Sequence, residues 1–540
     1  MFTNSLLADE IHLTLQKRNI SATHSLIKKI EIPPISMKSF RLLILCLIIG
    51  TLSAFAVEKP NIVVFLVDDM GLMDSSLPFL TDKDGNPERH ALNDFYRTPN
   101  MERLAKQGTR FSQFYAMSVC SPTRASIMNG QTSARHTTTQ FIKPETKNTG
   151  ELGPADWNWQ GFTKGAVTLP SLLREVGYRT IHAGKAHFGP NDSYASDPRN
   201  IGFEINIGGC AYGQPGSYLG TEHFGWAKKN RVQRAVPGLE KYHGQDIFLT
   251  EALTLEMNDA ITQAVDDEMP FFAYMSHYAV HSPFQGDARF AANYKDAGSE
   301  RHANFATMIE GMDKSLGDML DHLEKLGVAD NTLVFFLGDN GTDAPMGDVH
   351  AISSSAPLRA KKGTHYEGGM RAPFIAAWAR PDSSNAFQKL RPIPQDVINS
   401  RDIGTVYDIF STVLAAAGGE QGNHIVDGID LSPLFADEAG SANDREFLMH
   451  FPHSHRSSYF TAYRNGDWKL IYHYDKTSGP SDAKIELFHL TEDPYESHNL
   501  ASSNPEKLQA MLKAMNTALK DSDAQMPLTK KGGKPQWPNL

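Results

Sequence analysis

The chain has 540 residues, 40% of them apolar and 21% charged, an ordinary globular composition with ample material for a core. A net charge of −10 argues against a general nucleic-acid binder, and three cysteines exclude a disulfide-stapled fold. No internal repeat points to a solenoid.

Near the N-terminus, Lys38 and Arg41 precede an apolar run at 42–52 and then Ala54-Phe55-Ala56, the pattern of a secretory signal with its cleavage site. The run is short for a bilayer span, although a non-cleaved anchor is the alternative. Met37 stands directly before it as a candidate translation start. Cleavage after Ala56 leaves 46 Lys and Arg against 59 Asp and Glu, a net charge of −13, and removes Cys46. Residues 1–56 are thus expected to be an N-terminal extension and signal peptide of a secreted or periplasmic protein. The mature chain is expected to have no membrane attachment and no nucleic-acid partner.

Residues 61–67 form a continuous apolar run that stops at Asp68-Asp69. Such a run predicts a strand buried on both faces, and 271–275 and 333–337 read alike. Between the last two, Phe305, Met308, Ile309, Met312, Leu316, Leu320 and Leu323 recur at helical spacing and Gly327 closes the pattern. Strands alternating with helices predict an α/β sheet covered on both faces, with ligands beyond the carboxyl ends of its strands. The segments at 78–96, 136–166 and 208–245 read as long loops, either disordered or lining a site. After about residue 440, 467–473 and 485–489 read as short antiparallel strands. A helix follows over roughly 505–519, then a tail rich in Lys and Pro.

Several of these segments carry candidate chemistry. Asp68-Asp69 and Gly338-Asp339-Asn340-Gly341 each close a strand and together offer hard oxygen ligands suited to Ca²⁺; strand-end capping or turn formation is the other reading. Cys120-Ser121-Pro122-Thr123-Arg124 opens a short predicted helix, with Ser121 as cap, Pro122 at the first position and Gly130 at the end. That places residue 120 where a helix dipole favours an anion. A lone cysteine is otherwise a small buried hydrophobe.

The Cys120 segment resembles the C-x-P-x-R signature of the sulfatase family. Gly184-Lys185-Ala186-His187-Phe188-Gly189 resembles that family's G-K-x-H-x-G, and Ala279-Val280-His281-Ser282-Pro283-Phe284 its A-P-H-x-P-F. Lys361-Lys362-Gly363-Thr364, with Glu367-Gly368-Gly369 after it, is similar to the lysine segment, and alignment on Gly-Thr selects Lys362. The resemblance covers about 60–380 strongly and 440–500 loosely.

It implies an alkaline phosphatase-like α/β fold, a large, mixed, mostly parallel sheet sandwiched by helices over 57–438. A small C-terminal α+β subdomain with an antiparallel sheet would occupy 439–540. It also implies a sulfuric ester hydrolase in which a maturation enzyme converts Cys120 to 3-oxoalanine (Cα-formylglycine). The hydrated aldehyde attacks sulfur through one hydroxyl, and the other lets the aldehyde re-form and eject sulfate. One Ca²⁺ would be held by Asp68, Asp69, Asp339, Asn340 and residue 120. Arg124 would orient the formylglycine, Lys185 and Lys362 would bind sulfate, His187 would take the diol proton, and His281 would protonate the leaving oxygen.

Two departures stand out: Ala186 where many relatives have tryptophan, and Met128-Asn129-Gly130-Gln131 where the family continues toward L-T-G-R. A phosphodiesterase or phosphonate hydrolase on the same fold is the alternative activity, and a non-catalytic sugar-binding protein a third. A sulfated carbohydrate is the expected substrate, with Tyr459, Tyr463, His450, His453 and His455 as candidate contacts to sugar rings. His277 falls off the motif and is expected to be structural, whereas Glu367 is expected to support the lysine loop.

Overall fold

The run at 61–67 lies in the interior of the main sheet, as its two-faced apolar character requires. The computed structural model describes residues 59–145, 150–154, 156–225, 234–435, 445–457, 459–475 and 483–540. The signal peptide expected at 1–56 and the subdomain boundary near 439 lie outside the described residues.

In chain order the strands are β1 (Asn61–Val67), β2 (Gly108–Phe111), β3 (Phe114–Tyr115), β4 (Arg179–Gly184), β5 (Ile205–Ile207), β6 (Phe271–Ser276), β7 (Thr332–Gly338), β8 (Phe374–Trp378), β9 (Val397–Asn399), β10 (Gly404–Thr405), β11 (Glu446–Phe451), β12 (Phe460–Asn465), β13 (Trp468–His473) and β14 (Ile485–His489). The main sheet has the order β5-β4-β6-β1-β7-β8-β2-β9. All its pairings are parallel except those of β8, which runs against β7 and β2. The expected mixed, mostly parallel sheet is observed.

Alternate side chains of β1 serve two cores. Ile62, Val64 and Leu66 pack with Ile127 and Met128 of the Cys120–Asn129 helix and with Ile409 and Val413 of the Asp408–Ala417 helix. Val63, Phe65 and Val67 pack with the Leu249–Asp266 helix and with Phe305, Met308, Met312 and Leu316 of the Glu300–Leu326 helix. Each fully buried Val, Leu or Phe of this kind contributes about 1.5–3 kcal/mol relative to exposure. Gly327 ends the long helix in the left-handed conformation, as its sequence pattern predicts.

Strands β11 to β14 form an antiparallel sheet. Tyr463, Leu470, Tyr472 and Leu487 on one face pack against Met511, Leu512, Met515 and Leu519 of the Pro505–Asp521 helix. Phe447, Met449, Phe460, Ile471 and Phe488 on the other face join the main core. Among the described residues, no helix is long and apolar enough to cross a membrane.

Candidate active site

Four neighbouring parallel strands end at one edge. The register aligns Val67 with Gly338, Leu66 with Ser276 and Gly184 with Ser276. The segments leaving these ends therefore bring together Asp68 and Asp69 after β1, Asp339 and Asn340 after β7, Lys185 and His187 after β4, and His281 after β6. Two of these residues, Asp69 (φ 61°) and His187 (φ 56°), sit in the left-handed region that non-glycine residues seldom occupy. The Asp69 backbone N–H donates to Asp339 Oδ1 at 3.0 Å, which holds the turn.

The Cys120–Asn129 helix enters this edge with its first residue, and every one of its side chains is buried. Ser121 is not its cap, in contrast to the sequence expectation. The helix starts two residues earlier, on an extended Val119 without a side-chain cap, because Ser121 is engaged elsewhere. Ser121 Oγ accepts from Ile142 N at 3.0 Å and donates to the His187 carbonyl at 3.4 Å, tying the helix start to two other segments of the site. Gly130 ends the helix in the left-handed conformation, as expected.

The buried charges are arranged in pairs. Lys185 Nζ donates to both oxygens of Asp68 at 2.8 and 2.7 Å, and Lys362 Nζ donates to Asp69 Oδ1. Arg124 donates to Asp339 Oδ2 at 3.1 and 2.8 Å, to the Lys185 carbonyl at 2.8 Å and to Ser276 Oγ at 2.5 Å. Its hydrogen bonds thus go to the carboxylate cluster and the β4 and β6 ends, so it reaches residue 120 through them. Lys361, by contrast, donates to the Ala344 carbonyl at 3.1 Å, which leaves Lys362 as the site lysine.

Burial pushes the Asp68 carboxyl well above the usual range against the pull of Lys185, and Asp339 and Asp69 add to the rise. Burial also disfavours charge on Asp69, but Lys362, His281 and Lys185 outweigh it and hold that carboxyl low. Asp68, Asp69 and Asp339 each offer a ligand atom within 4.8 Å of the others. Asp69 Oδ2 and Asn340 Oδ1 are buried without a hydrogen-bond partner. Hard oxygen donors, two of them orphaned among crowded carboxylates, fit a divalent cation such as Ca²⁺.

Cys120 Sγ marks where the oxygens of a modified residue would begin. It lies 3.5 Å from His187 Nδ1, while His187 Nε2 lies 2.6 Å from the Ile142 carbonyl. That carbonyl accepts Nε2–H, so Nδ1 turns its lone pair toward residue 120. Burial, with Lys185 next, holds the His187 imidazole well below its ordinary value, so it is neutral. His281 Nδ1 sits 2.9 Å from the Ser282 carbonyl, and its Nε2 is 3.6 Å from Asp69 Oδ2. Burial pushes His281 down to about 4 despite the pull of Asp69.

A cleft of about 320 Å³ opens over these groups, walled by Lys143, Arg234, Asp343, His455 and Arg456. Of the five residues expected to contact sugar rings, only His455 lines it. His450 is buried against Thr461 Oγ1 and the Gln525 carbonyl, and His453 against Thr139 Oγ1. Tyr463 is buried under the C-terminal helix, and the buried Tyr459 hydroxyl accepts from Leu152 N. These four are packing residues: His450 and Tyr463 lie on strands covered on both faces, and His453 and Tyr459 are buried in the segments flanking them. The remaining cleft residues come from irregular segments whose local sequence has no periodicity to betray them.

His277 is structural, as expected, bonded to Ser315 Oγ at 2.9 Å and packed on Phe65. Glu367 does not meet Lys362 in any hydrogen bond. Its carboxylate accepts from Tyr115 and from Lys469 of β13, which ties the segment after the lysine loop to the C-terminal sheet.

Three cations face three carboxylates at a sheet edge, with Cys120 at a helix start beside them, an arrangement suited to an anionic ester. A family model described as Sulfatase matches residues 60–419, and the chain belongs to the sulfatase family. N-acetylgalactosamine-6-sulfatase of Mus musculus is 30% identical over 403 residues, covering 73% of this chain and 69% of that protein. A protein of Formosa agariphila described as Sulfatase is 28% identical over 510 residues, covering 83% and 85%. Among solved structures, that of Ps i-CgsB matches with a TM-score of 0.66 at 25% identity over 86% of this chain and 93% of that one.

Proposed function

We propose that this sulfuric ester hydrolase removes sulfate from a carbohydrate, using Cys120 converted to Cα-formylglycine and one Ca²⁺ held by Asp68, Asp69, Asp339 and Asn340. The observation that carries the reading is Cys120 Sγ at the helix start, 3.5 Å from the lone-paired nitrogen of His187 and beside a carboxylate cluster with two orphaned oxygens. Similarity to N-acetylgalactosamine-6-sulfatases supports a sulfated sugar as the substrate class.

Once formed, the aldehyde hydrate at residue 120 would supply the nucleophilic oxygen, and a cation held by Asp68, Asp69, Asp339 and Asn340 would lower that oxygen's pKa and offset developing charge. The chain's own residues do the rest. Asp68, Asp69 and Asp339 formally cancel Arg124, Lys185 and Lys362, so a bound divalent ion leaves two positive charges to receive an anionic ester. Lys185 and Lys362 then have donors to turn toward sulfate oxygens. His187 Nδ1, neutral and fixed by Ile142, is placed to take a proton from an oxygen on residue 120. His281 Nε2 faces the cleft to give a proton to the departing alcohol, and the anionic ester raises its affinity for that proton. The signal sequence ending at Ala56 supports secretion or a periplasmic location.

The test is the mass of the tryptic peptide containing residue 120, which conversion lowers by about 18 Da. Cys120→Ala should abolish sulfate release while leaving the fold intact. An unmodified peptide in fully active enzyme would overturn the reading.

A further inference from the structure

A second cluster of ligating side chains lies away from the cleft, where the main core meets the C-terminal sheet. His365, His473 and Glu486 are all buried, and each offers a ligand atom within 4.8 Å of the other two. His365 stands three residues beyond Lys362. His473 ends β13, and its backbone N–H donates to the Lys484 carbonyl, so Glu486 two residues on lies on the same face of the β13–β14 pair.

The donors are already set for coordination. His365 Nδ1 is 2.9 Å from Ser457 Oγ, and its Nε2 is buried with no hydrogen-bond partner. Ser457 Oγ can accept Nδ1–H, and in that tautomer Nε2 carries a lone pair that no donor in the fold engages, the state of a metal-binding imidazole. His473 Nε2 and Glu486 Oε2 are 3.3 Å apart. That separation is the edge of a tetrahedron whose ligand bonds are about 2.0–2.1 Å long. Tyr366 donates its hydroxyl to the Glu486 carboxylate at 3.1 and 2.9 Å, orienting it.

We propose that His365, His473 and Glu486 form a transition-metal site, with Zn²⁺ the expected ion, that staples the lysine loop to the C-terminal sheet. Two imidazoles and one carboxylate suit Zn²⁺, whereas the oxygen-only cluster at the cleft suits Ca²⁺, so one chain would hold two different ions. The site stands independently of the hydrolytic reading, since none of its three residues enters that chemistry.

The test uses the full-length protein purified without chelator and kept in saturating Ca²⁺, so that the Asp68 cluster is occupied. Elemental analysis is expected to find one Zn²⁺ per chain. Replacement by Co²⁺ should give the visible absorption of a low-coordinate nitrogen-ligated ion. His365→Gln and His473→Gln should each weaken Zn²⁺ binding more than about 100-fold, beyond the cost of losing a mere supporting hydrogen bond. Added Zn²⁺ should raise the melting temperature of the wild type but not of either variant. If a variant does not fold, X-ray absorption of the wild-type Zn²⁺ form decides, with imidazole scattering expected. Oxygen-only ligation, no bound Zn²⁺ or Co²⁺, or unchanged binding in both variants would overturn the site.

Discussion

At the scale of single residues, the two site histidines face different atoms, and that difference predicts different defects. His187 Nδ1 meets Cys120 Sγ, whereas His281 Nε2 lies near Asp69 and is proposed to serve the leaving oxygen. His281→Ala should slow hydrolysis of an alkyl or sugar sulfate by about 10²–10⁴, the worth of a general acid, and should spare nitrophenyl sulfate, whose leaving group needs no proton. His187→Ala should slow both substrates to a similar rate; steady-state assays on the two sulfates separate the roles. His277 permits a prediction about pH. Burial pushes it from the ordinary imidazole value of about 6.5 down to about 3. Between those values the unfolded chain binds a proton there that the folded chain refuses, so stability falls as pH falls. The slope is about 1.4 kcal/mol per pH unit for the one group. His277→Phe should remove that part of the slope, measured by urea unfolding between pH 6.5 and 4.

At the scale of elements, the Cys120–Asn129 helix depends on how it stops. Gly130 has φ 71°, and a Cβ there would lie 2.9 Å from the Phe410 ring. Gly130→Ala should therefore destabilise the protein by about 1–3 kcal/mol in chemical denaturation, by strain and by collision together. This helix also shows what the sequence could and could not disclose. Strands β1, β6 and β7 were legible because strands buried on both faces are unbroken apolar runs, and the Glu300–Leu326 helix because only one stripe of it faces the core. The Cys120–Asn129 helix is buried all round, so it has no stripe, and its start was misplaced by two residues because Ser121 bonds across space rather than to its own helix. The residues proposed for ion binding and catalysis stood out in the sequence because each follows a strand end or sits in a local motif. The cleft walls were not readable, since Lys143, Arg234, Asp343 and Arg456 are gathered from segments far apart in the chain. The five proposed sugar contacts failed in four cases for the converse reason: polar rings in β11, β12 and their flanks read as surface residues but are buried.

At the scale of the whole molecule, the cation and the fold should be separable. The carboxylates at the sheet edge already have Lys185, Lys362 and Arg124 as partners, so an ion-free chain keeps its architecture. Exhaustive chelation should abolish most activity while far-ultraviolet circular dichroism stays unchanged, and Ca²⁺ should restore turnover. Asp68→Asn combined with Asp339→Asn should prevent that rescue. Full activity after chelation, with metal content checked by elemental analysis, would sink the Ca²⁺ assignment.

The burial of Cys120 also sets a deadline. Its side chain is 4% exposed, and its helix is covered by the Asp408–Ala417 helix, nearly 300 residues downstream. Strand β1 likewise waits for distant partners, since Ile62 pairs with Phe272 and Leu333. A nascent chain therefore carries the thiol uncovered until most of its length has been made. The proposed conversion of Cys120 to formylglycine would have to take place within that interval. A chain that closes first keeps its thiol, and only unfolding reopens the opportunity.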